Sequence, residues 1–197
     1  MYRGNPTALV ALKDRRIVVG MGGGIACYKI ASLVSTLAQA GAVVEVVMTD
    51  AAQRFVTPLT FESLSGRVVH TSIWQQEGER DPQHIRLAKA ADAMLIAPCT
   101  MDLLAKLVHG MADDPVTLIA SAIDRRSQPV VLAPSMNEVM WSQPATQRNA
   151  EQAARDGFVV LEPGSGWQAC RAVGPGRLPE PDDLVEVLAA VVTGSRG

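Results

Sequence analysis

The stretch IVVGMGGGIA, residues 17–26, decides the fold class of this chain. Its first part, residues 17–20, has the apolar and small side chains of a short buried strand. Residues 22–24 are glycines that turn the chain, and residues 25–40 have the apolar spacing of a helix that ends at Gly41. A buried strand that leads through glycines into a helix is typical of α/β proteins with a parallel sheet.

The alternation of strands and helices continues along the chain. Further strands are predicted at residues 43–48, 93–97, 130–133 and 158–161. Further helices are predicted at residues 84–91, 102–109, 115–123, 145–156 and 182–192. Because the strands show no polar alternation, both of their faces are expected to be buried. The pattern therefore predicts an α/β fold, a three-layer Rossmann-like parallel sheet with helices on both faces.

One segment interrupts this alternation. Residues 162–181 are rich in glycine and proline, contain Cys170 and show no periodicity. An irregular loop of that length in a compact domain is usually functional and is often a lid. We therefore expect a single domain over residues 1–197 that carries a substrate flap at about residues 162–181.

Composition excludes several classes of function. The 197 residues carry a net charge of −2 without a run of lysine or arginine, which argues against nucleic acid or an anionic membrane as a partner. No apolar stretch is long enough for a membrane span, and residues 1–6 lack the apolar core of a signal peptide. Because Cys27, Cys99 and Cys170 form no CxxC pair, we expect neither a metal site nor a disulfide framework, and a cytoplasmic location.

The glycine turn indicates a phosphate site, because amides at a helix N-terminus bind anions and glycines let the backbone approach closely. The dinucleotide pattern GxGxxG is not satisfied, whether it is counted from Gly20 or from Gly22. Thr49 and Asp50 follow the second strand, where a hydroxyl can bind a phosphate or ribityl chain and an acid can bind ribose. We therefore favour a mononucleotide over NAD, with a tight turn that only needs small residues as the alternative.

Two more segments follow strands and are expected at the same edge of the sheet. Residues 97–106, APCTMDLLAK, open a helix whose amides and Thr100 hydroxyl can meet a phosphate or a ring. Residues 134–141, PSMNEVMW, present an amide, two thioethers and an indole. Asn137 can bind a carboxylate or a flavin edge, or it can simply cap a helix. Ligands of open α/β sheets lie outside the carboxyl ends of the strands, so these segments and the glycine turn predict one site.

Five blocks of the sequence, in order, resemble the phosphopantothenoylcysteine decarboxylases, which belong to the homo-oligomeric flavin-containing cysteine decarboxylases. The blocks are GGGIACYK at 22–29, FVTPLT at 55–60, HIRL at 84–87 followed by Ala91-Asp92, PSMNEVMW at 134–141, and Ala169-Cys170 with GPGR at 174–177. The block at 134–141 satisfies the family pattern PxMNxxMW in full. The resemblance runs from about residue 16 to about residue 188, which is nearly the whole chain.

The resemblance implies bound FMN and a carboxy-lyase reaction of coenzyme A biosynthesis, the decarboxylation of 4'-phospho-N-pantothenoylcysteine to 4'-phosphopantetheine. It also implies a homo-oligomer, either a trimer or an assembly of trimers, with the flavin near the subunit interface. The cofactor-binding residues that it implies are Gly23, Gly24, Ile25, Thr49, Thr100, Met101, Asp102, Leu103 and Ser135.

The catalytic residues implied by the family blocks are His84, Asn137 and Cys170. His84 would move a proton at the substrate thiol or orient the substrate, and Asn137 would hold the substrate carboxylate. Cys170 would donate a proton during the final reduction. Taken without the family blocks, these positions are also compatible with a surface histidine, a helix cap and a small buried thiol.

Substrate-binding residues are expected to be Asn137, Met140, Arg177 and Lys29. Met140 would shape the pocket, although a core methionine is an equally good interpretation of that position. The cations are candidates for the substrate phosphate, and Arg177 ranks first because it lies in the flap. Arg86 and Arg171 are further candidates of the same kind.

A few positions depart from the family pattern. Arg171 stands where glycine is usual after the flap cysteine, Asp113 where asparagine is common, and Gly24 where some relatives have a phosphate-binding serine. At Gly24 the backbone amide would serve instead. The sequence stops at Gly197, so we expect no fused ligase domain of the kind that bacterial relatives often carry.

Other functions compete with this one. A decarboxylase of the C-terminal cysteine of a peptide and a flavin prenyltransferase share the fold, and a flavin-binding regulatory subunit would need no turnover. The full pattern through Met140-Trp141 and the block GPGR favour the pantothenoyl substrate over a peptide. Prenyl transfer would not need Cys170, and a regulatory subunit has no physical need for His84, Asn137 and Cys170 together.

Overall fold

The structure is a computed structural model that describes residues 2–74, 82–167 and 173–194. Parallel strands form its main sheet: β1 Arg16–Met21, β2 Val43–Met48, β3 Ala93–Cys99, β4 Val130–Pro134 and β5 Val159–Val160. They are ordered β2-β1-β3-β4-β5. The strand predicted at residues 17–20 is therefore the second strand of a parallel sheet, with a neighbour on each side.

The helices of the described residues pack around this sheet. In chain order they are α1 Pro6–Leu12, α2 Cys27–Gln39, α3 Asp50–Gln53, α4 Pro58–Ser65, α5 Gln83–Ala90, α6 Met101–Val108, α7 Pro115–Ala122, α8 Glu138–Ser142, α9 Pro144–Arg155 and α10 Pro181–Gly194. Within the same residues, no helix has the length and apolar character needed to cross a membrane.

Helices cover both faces of the sheet, which confirms the predicted three-layer architecture. Ile17, Val19 and Met21 of β1 pack with α1, α2, α4 and α10, whereas Val18 packs with α5, α6, α7 and α9. Successive side chains of a strand point to opposite faces, so helices on both sides explain why the strands show no regular alternation of polar and apolar residues. Every residue of β3 is buried. A truncation such as Leu95→Ala in this strand is expected to cost about 2–5 kcal/mol.

The strand order creates a crevice between β1 and β3. The chain leaves β1 to form β2 on one side of it and then places β3 on the other side. The helices that follow β1 and β3 pack on opposite faces, and ligands of open α/β sheets bind at such a switch point. The loops after both strands meet there, because the Gly22 N–H donates to the Pro98 carbonyl over 3.1 Å.

The sequence did not predict α1 or α4. Both helices are about two turns long, and isolated helices of this length are marginal in water, so they depend on tertiary packing that the sequence pattern does not show. α1 is capped by Asn5, whose side-chain oxygen accepts from the Thr7 N–H over 3.0 Å, and it packs against α10. The strand predicted at residues 158–161 is shorter in the structure, where β5 comprises two residues.

The prediction of an irregular loop at residues 162–181 is wrong for its described part. Gly164–Trp167 (β6) and Val173–Arg177 (β7) pair as an antiparallel hairpin. Glycine and proline give both strands a low strand propensity, so their side-chain pattern could not reveal them. The hairpin is formed by backbone pairing of β6 with β7, so the side chains of these strands are available to line a site.

Candidate functional site

A cavity of about 1120 Å³ opens at the carboxyl ends of β1 and β3. Every residue predicted to bind the cofactor lines it: Gly23, Gly24, Ile25, Thr49, Thr100, Met101, Asp102, Leu103 and Ser135. The residues predicted to bind substrate line it as well: Lys29, Asn137, Met140 and Arg177. Segments from both halves of the chain therefore converge on one space.

The glycine turn is packed so tightly that it forms a fixed wall of the cavity. A side chain at Gly22 would meet Leu103 Cδ1 and the Pro98 carbonyl, each at 2.7 Å, and one at Gly23 would collide with Ala51. Gly24 is different, because the nearest atom to a Cβ there is Pro98 Cγ at 4.0 Å. The turn therefore needs glycine where it meets the core and has open space at Gly24.

Two predicted hydroxyl residues are also helix caps. Thr49 Oγ1 accepts from the Ala52 N–H over 3.2 Å and donates to the Met21 carbonyl over 3.1 Å, at the start of α3. Thr100 Oγ1 accepts from the Leu103 N–H over 3.3 Å at the start of α6. Because the Thr49 proton is engaged by a carbonyl, this hydroxyl can offer a ligand an acceptor, whereas the Thr100 hydroxyl can donate.

Asn137 combines the cap and the site interpretations. Its side-chain Oδ1 accepts from the Val139 N–H over 2.8 Å and caps α8, as the alternative reading of this residue predicted. The same residue lines the cavity. The cap bond turns the amide oxygen toward the helix, which directs Nδ2, a donor, away from the backbone amides of α8. A hydrogen-bond donor is the group that a carboxylate ligand requires.

The hairpin forms the opposite wall and lies against the Asn137 segment. The Met136 N–H donates to the Gly176 carbonyl over 2.9 Å. Gly174 approaches Glu138 so closely that a Cβ at this position would collide with its carboxylate. Trp167 and Arg177 bring the side chains of β6 and β7 to the cavity. The hairpin is therefore held against the loop after β4 by a backbone hydrogen bond and lies against the Glu138 side chain of α8.

Lys106 was not among the predicted site residues, yet it lines the cavity in a cluster of carboxylates. Its Nζ lies 3.1 Å from Asp113 Oδ1, 3.3 Å from Asp114 Oδ2 and 3.5 Å from Asp102 Oδ2. Burial works to lower the pKa of Lys106, but the bond to Asp113 and the charges of Asp114 and Asp102 outweigh it and raise the pKa above its ordinary value. Asp113, a departure from the family pattern, is thus one of three carboxylates that share the Lys106 ammonium.

Lys29 and Arg177, the cations predicted to bind phosphate, meet at a single carboxylate. Lys29 Nζ donates to Glu180 Oε1 over 2.7 Å, and Arg177 Nη2 donates to the same oxygen over 3.0 Å. The Arg177 guanidinium also packs across Gly166, where a Cβ would stand 2.7 Å from its Nη1. The sequence analysis did not single out Glu180, although a glutamate between two prolines at a helix start was a visible signal.

His84 is the predicted catalytic residue that the structure does not bring to this cavity. It lies half-buried in the first turn of α5 and is not among the described residues that line the space. Arg86, on the same helix, does not line it either. Residue His84 is next to Gln83, whose buried side-chain amide bonds to His70 Nδ1 and so anchors the start of α5.

A buried ion cluster lies beyond His70. His70 Nε2 stands 3.6 Å from Glu45 Oε2, and Glu45 Oε1 is 2.7 Å from both Arg16 Nη1 and Arg67 Nη2. Burial works to raise the pKa of Glu45, but the approach of His70 and the bond from Arg67 outweigh it and lower the pKa to about 2. Glu45 is therefore ionised at neutral pH and compensated by its cationic neighbours.

The described cysteines are chemically quiet. Burial raises the pKa of the Cys27 thiol, which donates to the Gly22 carbonyl over 3.2 Å. Burial also raises the pKa of Cys99, to about 12. Both thiols are protonated at neutral pH and neither can supply a thiolate. Cys170 and Arg171 lie outside the described residues.

Comparison with known proteins gives the following relatives. A protein family described as "Flavoprotein" matches residues 7–193. The coenzyme A biosynthesis bifunctional protein CoaBC of Vibrio cholerae serotype O1 is 45% identical over 175 residues, which make up 89% of this chain and 43% of the relative. The chain thus spans less than half the length of the curated relatives of this kind.

Solved structures show the same fold. The crystal structure of SpaF, an FMN-dependent cysteine decarboxylase, has a TM-score of 0.79 at 28% identity and covers 94% of this chain and 99% of its own. A PPC decarboxylase mutant complexed with pantothenoylaminoethenethiol has a TM-score of 0.79 at 26% identity and covers 90% of this chain and 98% of its own.

Proposed function

Because this chain belongs to the flavoprotein family, we propose that it binds FMN and decarboxylates 4'-phospho-N-pantothenoylcysteine to 4'-phosphopantetheine in coenzyme A biosynthesis. The observation that carries the proposal is one cavity that brings together the glycine turn, Thr100, Asn137 and Arg177. Relatives named for coenzyme A biosynthesis, and the likeness to a PPC decarboxylase, support the choice of substrate.

The walls of the cavity fit a flavin mononucleotide. α2 is a 13-residue helix, and the amides at its N-terminus, beside the open face of Gly24, would hold the phosphate. Thr49 would accept from the ribityl chain, and residues 100–103 would hold the ring. The volume of about 1120 Å³ is slightly larger than that of ordinary ligand pockets, about 300–1,000 Å³, and so leaves room for a substrate beside the cofactor.

The reaction explains why a flavin is needed. A carboxylate on a saturated carbon has no electron sink, so direct loss of CO2 would leave an unstabilised carbanion. Bound FMN would accept two electrons from the substrate CH2–SH group and return them after CO2 has left. Once this carbon is a thioaldehyde, the electron pair released by CO2 can be delocalised onto sulfur.

Asn137 is proposed to bind the substrate carboxylate. Its Nδ2 can donate to the carboxylate without neutralising it, and the leaving group must stay ionised for CO2 to form. The bond between Oδ1 and the Val139 N–H supports this role, because it fixes the orientation of the amide before substrate binds.

Cys170 is proposed to donate the proton in the final reduction. We expect Cys170→Ser to oxidise the substrate and release CO2 but then to stall, because a serine hydroxyl is a far poorer acid than a thiol with a pKa of about 8.5. A product two hydrogens lighter than phosphopantetheine should accumulate while the flavin stays reduced without oxygen. Mass spectrometry together with flavin absorbance measures both. Ordinary product at the wild-type rate would remove Cys170 from the mechanism.

A homo-oligomer, a trimer or an assembly of trimers, is proposed to complete the site. His84 does not line the cavity of its own chain, so a neighbouring copy would supply it. Exposed apolar side chains on the rim support such an interface: Ile25 is 59% exposed, Met140 42%, Trp74 85% and Trp167 63%. A fully active monomer, identified by light scattering, would contradict this part of the proposal.

The flap and the location are proposals of the same kind. Residues 162–181 would close over the substrate within a single flavoprotein domain, and the hairpin contacts to the Asn137 segment support this role. The cytoplasm is the proposed location, because a substrate with a reactive thiol needs a reducing compartment.

Decarboxylation of the C-terminal cysteine of a peptide is the second candidate, because SpaF is named an FMN-dependent cysteine decarboxylase without reference to a pantothenoyl substrate. Purified protein should be yellow and release FMN rather than FAD or NAD, as judged by its visible spectrum and by mass analysis. It should convert 4'-phospho-N-pantothenoylcysteine, while a peptide that ends in cysteine and a prenyl donor serve as controls. Colourless protein that takes up no FMN, or FMN-loaded protein that acts only on the peptide, would overturn the proposed function.

A further inference from the structure

Glu180 occupies the position where the substrate phosphate is expected to bind. Both of its cationic partners, Lys29 and Arg177, line the cavity and donate to its Oε1, over 2.7 and 3.0 Å. Lys29 belongs to the body of the domain through α2, and Arg177 ends the hairpin strand β7. The carboxylate therefore neutralises two cations that come from opposite walls.

The charges do not balance if Glu180 stays in place when a phosphate binds. Two cations and one carboxylate sum to one positive charge, and a phosphate monoester carries about −1.5 to −2 at neutral pH. With Glu180 removed, Lys29 and Arg177 match the phosphate.

Exposure indicates which partner can leave. The Glu180 side chain is 57% exposed, whereas that of Lys29 is 12% and that of Arg177 is 36% exposed. A carboxylate that is already largely hydrated loses little when it turns to solvent, and partly exposed ion pairs are weak. Lys29, by contrast, would have to move a largely buried side chain out of its packed position. Glu180 is therefore the mobile member of the group.

The backbone around Glu180 is fixed while its side chain is not. Pro181 restricts the φ and ψ of Glu180, the residue before it, and Pro179 has a fixed φ of its own. The Glu180 N–H donates to Asp183 Oδ2 over 3.3 Å at the start of α10. A change of side-chain rotamer is thus enough to release both cations, and no movement of α10 is required.

We propose that Glu180 is an exchangeable counter-ion, which pairs with Lys29 and Arg177 in the empty site and turns to solvent when a phosphate monoester binds between them. The inference rests on the proposed function, because it takes a phosphorylated substrate as the ligand. Glu180 is a specificity residue in this scheme: it lowers the affinity for every anion, and only a ligand that engages both cations displaces it.

The test compares phosphorylated and unphosphorylated ligands on the FMN-loaded protein. Glu180→Gln should bind 4'-phosphopantetheine about fivefold to tenfold more tightly than the wild type, since the competing charge is gone. Affinity for pantetheine, measured by the same titration calorimetry, should not change. Glu151→Gln removes the same charge from a surface pair on α9 and should change neither affinity.

The outcomes separate this inference from the proposed function. If the wild type decarboxylates the phosphorylated substrate but Glu180→Gln binds 4'-phosphopantetheine no more tightly, Glu180 is a fixed brace and the inference is overturned. If the wild type turns over no phosphopantothenoylcysteine, the proposed function fails and the inference fails with it. A merely structural residue would change both affinities together, not their ratio.

A second measurement does not depend on the stability of a variant. In a crystal structure of the wild-type protein with 4'-phosphopantetheine, the phosphate should contact Lys29 and Arg177, and the Glu180 carboxylate should face solvent. A Glu180 carboxylate still bonded to both cations in that complex would overturn the inference.

Discussion

The cavity has two glycine-rich walls that use glycine for different reasons. In the turn after β1, Gly22 and Gly23 are required because neighbouring atoms leave no space for a side chain. In the hairpin, Gly166 and Gly176 have φ values of +148° and +124°, which other residues rarely adopt. The first wall is part of the core, and the second is a ribbon on the surface. Glycine content alone does not distinguish the two walls, whereas the space around each glycine and its φ value do.

This difference assigns the two walls to different tasks. A turn without spare volume holds its amides in one geometry, which suits a cofactor that stays bound. A two-stranded hairpin is marginally stable by itself and depends on its contacts with the domain. It can therefore yield when a substrate enters. The following variants test whether binding of cofactor and handling of substrate are separable in this way.

The largest effect is expected for Asn137→Asp, on the substrate side. Aspartate caps a helix as well as asparagine does, so the fold and the bound FMN should persist. Turnover should fall by at least about a thousandfold, because two carboxylates at close range in a partly dry site cost several kcal/mol. Decarboxylation rates and the flavin spectrum are the measurements. Asn137→Ser, a cap without charge, is the matched control and should lose less.

A result that would break the comparison is loss of FMN from Asn137→Asp together with its activity. Binding of the cofactor and handling of the substrate would then not be separable. Near-normal turnover would instead remove Asn137 from the mechanism.

Glu45→Gln tests how much a buried ion cluster outside both walls contributes to the stability of the fold. Breaking the buried cluster should lower the free energy of unfolding by about 3 kcal/mol at neutral pH, without changing FMN affinity in the folded protein. Burial works against ionisation, but His70 and Arg67 lower the pKa of Glu45 from 4.5 to about 2. The stabilisation is therefore fully present above pH 4.5 and is lost as the pH falls toward 2.

Urea unfolding between pH 7 and pH 2 measures this effect. Wild-type stability should approach that of Glu45→Gln in acid, because the wild-type carboxyl is protonated there. Parallel pH curves for the two proteins would contradict the assignment.

A smaller effect is expected from the paired variants Gly23→Ala and Gly24→Ala in the turn. A methyl group at Gly23 collides with Ala51, so the turn must shift and FMN affinity should fall about thirtyfold, in line with the cost of overpacking. At Gly24, where the family pattern also allows serine, the same methyl group meets no protein atom closer than Pro98 Cγ at 4.0 Å, so it should leave room for the phosphate and change the affinity by no more than about threefold. Fluorescence titration of the apoprotein with FMN measures both. Equal losses of FMN affinity in the two variants would mean that the turn is not a rigid wall.

The sequence predicted the sheet and its edge well, because both depend on local pattern. Apolar runs without polar alternation identified β1 to β4, and glycine, threonine and proline at their ends marked the cavity wall. Residues such as Thr100 and Ser135 could be placed because the carboxyl ends of parallel strands share one edge.

The rest could not be predicted because it depends on contacts between distant segments. The hairpin forms through backbone pairing, which its glycine-rich sequence does not predict. The contacts of Lys106 with Asp113 and of Lys29 with Glu180 join different elements, so spacing along the chain does not reveal them. His84 does not line the cavity of its own chain because of how helix α5 packs, and no local motif predicts that packing.

The helix caps at the cavity have a consequence for how this site can evolve. Thr49, Thr100 and Asn137 each begin a helix with a side chain that also faces the ligand space. Serine, threonine, asparagine and aspartate are nearly interchangeable as caps but differ in charge and in hydrogen-bond donors. A library limited to these four residues at the three positions should consist mostly of folded proteins. Ligand preference could then change, by drift or by selection, through variants that keep the fold.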